Sequence, residues 1–146
     1  ILLNAKFLYL YKMLKTLIMK YIKYILMATV SFVIINVWFF RLNKVTIYRG
    51  GEAGNMLEEF AVYGLNETVM YLIGGLKILA VLGLLIGFYL KKAILPSALT
   101  IAILMLGAIA MHFKVSDAAI KFLPAGLMFV FSIIIIFIDT QKEQTA

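Results

Sequence analysis

An all-α integral membrane protein, a four-helix bundle with an extra N-terminal amphipathic segment, is the fold this sequence predicts, and three observations predict it. Of 146 residues, 64% are hydrophobic and 14% charged. Mean hydropathy is +1.04, well above what a soluble domain carries. Four apolar runs are each long enough to cross a bilayer and are separated by polar or basic stretches. The basic residues flank those runs instead of forming a basic face, so the formal charge of +7 reads as membrane orientation and not as nucleic-acid binding. One domain, residues 1–146, accounts for the chain.

Residues 1–23 carry Lys6, Lys12, Lys15, Lys20 and Lys23 with no acidic residue. Leu3, Phe7, Leu10, Leu14, Leu17 and Ile18 recur at three- and four-residue steps, which predicts an amphipathic helix. It is expected to lie against anionic lipid head groups, to dock a partner subunit, or to extend the first span inward. No small-residue cleavage site follows it, so removal as a signal peptide is not expected. The first span, 24–40, has no formal charge and closes on the aromatics Trp38, Phe39 and Phe40, which favour the lipid–water boundary.

An outer loop, 41–66, is too long and too patterned to be a simple turn. Gly50, Gly51 and Gly54 break it, and NMLEEFAVYGL reads as a short helix started by Asn55 and ended by Gly64. The second span, 70–90, opens after the cap Asn66 and ends at Lys91 and Lys92. The third, 93–113, has Pro96 in its first turn, where a missing N–H costs little. It ends at His112, the chain's single histidine. The fourth, 122–138, begins near Pro124 and gives way to Asp139 and a polar tail. Gly74, Gly75, Gly83, Gly87, Gly107 and Ala108 are small enough to let helices approach closely and are the expected packing positions.

Four spans place both termini on one side. That side carries eight lysines against five basic residues on the other, which predicts cytoplasmic termini. Spans two and three run in opposite directions, so Lys77 and His112 fall in the same, outer half. Arg41, Glu58, Glu59 and Asp117 converge there too. Lys77 lies within the apolar run, and an ammonium in lipid needs a carboxylate, carbonyls or water. It is expected to turn inward onto Glu58, Glu59 or Asp117; the alternative is that it snorkels outward along its own helix.

Chemistry is scarcer than architecture. Without cysteine there are no disulfides, thiolate metal sites or iron–sulfur ligation. One histidine gives no metal-ligand set and no bis-histidine haem, and neither a phosphate loop nor a nucleophile–base pair is visible. No catalytic residue, metal or intrinsic cofactor is expected, and an autonomous enzyme is the least supported reading. Two readings remain. In the first the chain is a non-catalytic subunit of a larger membrane protein complex, with membrane lipids and other subunits as partners. In the second it binds quinone or lipid, with Lys77 or His112 donating to a carbonyl inside an apolar bundle. A transporter with Lys77 as a switching charge is poorer, because four spans offer a single intramembrane charge.

FFRLNK after span one, EEFAVYGL closing the loop, then IGGLKILAVLGLLIGFYLKKAILPSALTIAILMLGAIAMHF and a last apolar span resemble the DoxX-like membrane proteins over about residues 37–138. The most specific pieces are Gly74, Gly75 and Lys77 opening span two and Gly107, Ala108 and His112 closing span three. The resemblance implies a four-helix bundle in the bacterial cytoplasmic (inner) membrane. It also implies kinship with membrane subunits of thiosulfate:quinone oxidoreductase, with oxidative-stress complexes, or with proteins that assist membrane-protein assembly. Lys77 stands where many relatives carry glutamate, so no carboxylate role is carried to this position.

Overall fold

The computed structural model describes residues 2–143; Ile1 and the last three residues of the predicted polar tail lie outside the described residues. Helix α1 runs from Leu2 to Ile35 and continues into a π-helical turn, Asn36–Phe40. A short α2, Met56–Val62, sits in the long loop. Then come α3 (Glu67–Ile86), α4 (Ile94–Lys114) and α5 (Leu123–Glu143), the last two each preceded by a 3₁₀ turn. No strand occurs among the described residues, and four helical stretches are long and apolar enough to span a membrane. In lipid every backbone group must be paired within the chain, which is why these runs become helices.

Local chemistry sets several ends. Asn55 accepts from the Glu58 N–H and caps α2, and Asn66 accepts from the Val69 N–H and caps α3. The second span stops at Ile86, four residues short of its predicted end, because Gly87–Tyr89 leave the helix as a turn before Lys91. Span four runs past 138, with Asp139, Thr140 and Gln141 still helical.

The helices close in the cyclic order α1, α3, α4, α5. Met27, Val30, Leu84, Ile94, Ile101 and Ile135 fill the middle. Of the predicted packing positions, Gly83 meets Ser97 on α4, Gly87 meets Ile94 and Met27, and Gly74 lies under the Trp38 ring; Ala108 packs against the core. Gly75 and Gly107 make no close helix approach: a Cβ at either would meet nothing within 4 Å, both being exposed, and Gly107 borders the cavity described below.

Helix α1 shows why residues 1–23 read as a separate segment although the helix is unbroken. Along its bundle side, at helical steps of three and four, come Lys12, Thr16, Lys20, Lys23, Met27, Val30 and Ile34. The last four are buried and the first three exposed. Its other side carries Phe7, Leu14, Tyr21, Ile25 and Phe32, all exposed. The change falls at Lys23, whose Nζ lies 2.7 Å from Asp139 Oδ1 of α5. At 1.5 Å per residue the apolar stretch Asn4–Phe40 is about 55 Å long against a hydrocarbon core of about 30 Å, so its N-terminal part projects past the bundle.

Candidate functional site: a polar lid over an apolar cavity

At the end of the bundle away from the termini, the 41–66 loop folds back over the helices and α2 lies across them. Arg49, 5% exposed, holds this loop together. Its Nη1 donates to Glu59 Oε2 at 2.8 Å and to the Met56 sulfur, Nη2 to the carbonyls of Arg41 and Leu42, and Nε to that of Lys44. All five guanidinium donors are thereby engaged. One turn along α2 from Glu59, on the same face, stands Tyr63. Its hydroxyl donates to Glu59 Oε1 at 3.1 Å, beside the Gly50 N–H at 2.8 Å from the same oxygen. Gly50 is required there, since a Cβ would overlap the Tyr63 hydroxyl.

The other half of the lid comes from the end of α4. Ser116 adopts a left-handed φ of 55°. The Asp117 N–H then reaches back to the His112 carbonyl and the Ser116 N–H to that of Phe113. These are the two bonds of a Schellman closure, here without the usual glycine. The reversal brings Asp117 Oδ2 to 2.7 Å from His112 Nδ1. A carboxylate only accepts, so Nδ1 carries the hydrogen of that bond. Asp117 Oδ1 accepts from the Gly51 N–H at 2.9 Å and faces Lys121 Nζ at 3.3 Å; Lys121 also donates to the Gly51 carbonyl. The Tyr63 hydroxyl lies 3.1 Å from His112 Nδ1 and joins the two halves. Lys114 donates to the Tyr63 carbonyl at 2.7 Å.

Electrostatics follow the contacts. Burial alone pushes the Asp117 carboxyl up, but the bonds from His112, Gly51 and Lys121 outweigh it and hold the group below its ordinary value. Burial, reinforced by the Glu59 charge and the Glu59 hydrogen bond, pushes the Tyr63 phenol far above its ordinary value, so it stays protonated and remains a donor.

Beneath the lid lies a cavity of about 820 Å³ bordered by α1, α3, α4 and α5 and open on one side, its walls dominated by apolar side chains such as Val33, Ile73, Met105 and Met128. Lys77 and Arg41 line it as well. Of the six polar residues singled out in the sequence, three meet in the lid: Glu59, His112 and Asp117. Glu58 does not. Its carboxylate turns back to the Asn55 amide and the Gly54 N–H on the solvent side of α2. Arg41 contributes its carbonyl, while its side chain is exposed.

The expected pairing of Lys77 with Glu58, Glu59 or Asp117 is not formed. Glu59 and Asp117 are committed to donors of the lid and Glu58 to its own cap. Lys77 instead lies deeper in α3, its Nζ 5.6 Å from the centre of the Trp38 ring. Arg49, Tyr63 and Lys121 were not singled out from sequence. The available clues were an arginine directly before Gly50 and Gly51, and the four-residue steps Glu59 to Tyr63 and Asp117 to Lys121. No group of three or more His, Asp or Glu side chains among the described residues is disposed to hold a metal.

The model of a protein family described as DoxX-like matches residues 28–135, from the first spanning helix to within α5. No curated protein and no solved structure matches the chain.

Proposed function

We propose, for a chain that belongs to the DoxX-like family by its match over residues 28–135, that it is a non-catalytic subunit of a larger membrane assembly. In this reading its bundle holds a membrane-soluble molecule with an apolar body and an oxygen-bearing head, of the quinone or lipid kind. The observation that carries it is the cavity of about 820 Å³, within the range of roughly 300–1,000 Å³ in which small-molecule sites fall. Its walls suit a hydrocarbon body. The lid's donors and acceptors are consumed by one another, which suits a rigid cap better than a reacting centre. The excess of lysines at the termini end supports cytoplasmic termini in a bacterial inner membrane, with the lid outside.

Extraction into polymer-bounded lipid discs, without detergent, tests both parts. Mass spectrometry of the discs is expected to show companion subunits in fixed ratio and one amphipathic molecule enriched over bulk lipid. Discs that hold this chain alone, with a lipid profile equal to that of the surrounding membrane, overturn the reading.

A further inference from the structure

We infer that the head group held in the cavity is an anion on a single acyl chain, seated at Lys77. The inference rests on the cavity reading above and deepens it.

Charge balance leads to it. In the lid, Arg49 faces Glu59 at 2.8 Å, and Lys121 and His112 share Asp117 at 3.3 and 2.7 Å. Lys77 has no such match: no carboxylate among the described residues comes within ion-pair distance of it. Beyond the longer-range field of Glu59, what its ammonium faces is the ring of Trp38. A cation–π contact recovers only part of what an ammonium loses on leaving water. Lys77 therefore presents a positive charge with no counter-ion in contact to a cavity with apolar walls. The half-buried side-chain amide of Asn36, which makes no hydrogen bond among the described residues, lines the same cavity.

A neutral carbonyl would accept a hydrogen bond from Lys77 and leave the charge uncompensated. A carboxylate or phosphate accepts the bond and neutralises the charge, and charge-assisted hydrogen bonds of this kind are the stronger ones. The volume suits one acyl chain, and the walls supply apolar contact along its length. A free fatty acid and a single-chain phospholipid share this chemistry.

Trp38, the chain's single tryptophan, lines the cavity beside Lys77 and is the reporter. The full chain, delipidated in mild detergent, is titrated with oleate, methyl oleate, lysophosphatidate and a short-tailed quinone while Trp38 emission is followed. Oleate or lysophosphatidate is expected to bind at least tenfold more tightly than methyl oleate, and the tighter of the two identifies the source. Lys77→Met is expected to abolish that preference and Lys77→Arg to keep it. Where Lys77→Met fails to fold, the comparison of acid with ester on the unaltered chain decides. Equal binding of acid and ester overturns the inference. Binding of the quinone without either acid overturns it too and leaves the cavity reading standing. Binding of none of the four overturns both.

Discussion

Asp117 ties the end of α4 to the loop: through two oxygens it receives His112, Lys121 and the backbone of Gly51. Its folded carboxyl titrates below the ordinary carboxylate value, about 3.9 for aspartate. A depressed carboxyl stabilises the fold above its unfolded value, and that contribution is lost as pH falls through the lower, folded one. Asp117→Asn removes the charge and one of the two acceptor oxygens that face three donors and is expected to cost about 3 kcal/mol at neutral pH. Thermal unfolding across a pH series checks this: the gap between the two proteins should be full at neutrality and close in acid below the carboxylate range. A gap independent of pH would assign the loss to packing and not to charge.

Between elements, the clasp of α1 to α5 and the fit of α1 on α3 make separable predictions. Lys23 and Asp139 are largely buried at 2.7 Å. Lys23→Met leaves a carboxylate without its counter-charge and is expected to lower stability by about 3 kcal/mol, whereas Lys23→Met combined with Asp139→Leu restores most of it. Detergent-titration unfolding of the two single variants and the double variant completes the cycle. On α3, Gly74 and Gly75 are neighbours with opposite surroundings: a Cβ at 74 would overlap the Trp38 ring, and a Cβ at 75 meets nothing within 4 Å. Gly74→Ala is expected to drive the indole toward the cavity, shifting Trp38 emission and costing about 1–3 kcal/mol by overpacking. Gly75→Ala should leave emission unchanged and gain a few tenths of a kcal/mol from helix propensity. Two silent variants would mean that Trp38 does not rest on Gly74.

For the molecule as a whole, the bundle was legible because the bilayer permits so few solutions: apolar runs of spanning length, with Asn66 as a start and basic residues between runs, leave little but antiparallel helices, although the second spanning helix ends at Ile86, ahead of Lys91 and Lys92. The meeting of Glu59, His112 and Asp117 followed from topology, since alternating spans put their ends together. Partnership was not legible. Which carboxylate Arg49 takes depends on how a loop folds over helix ends, and Asp117 reaches His112 because Ser116 accepts a left-handed turn that nothing in its identity announces. The cost of Lys77 shows in the sequence, but the carboxylates that topology brings to its end of the bundle are engaged elsewhere. The cavity also has an uneven boundary. Its loop end is barred by interlocked ion pairs, while Phe32 and Ile103, 69% and 68% exposed, are bare helix surface on its lining. On the proposed reading, a guest would therefore arrive sideways, by diffusion in two dimensions among lipid tails. Its occupancy would then follow the guest's mole fraction in the membrane and not its molarity in the surrounding water, so a compound almost insoluble in buffer could keep the site full.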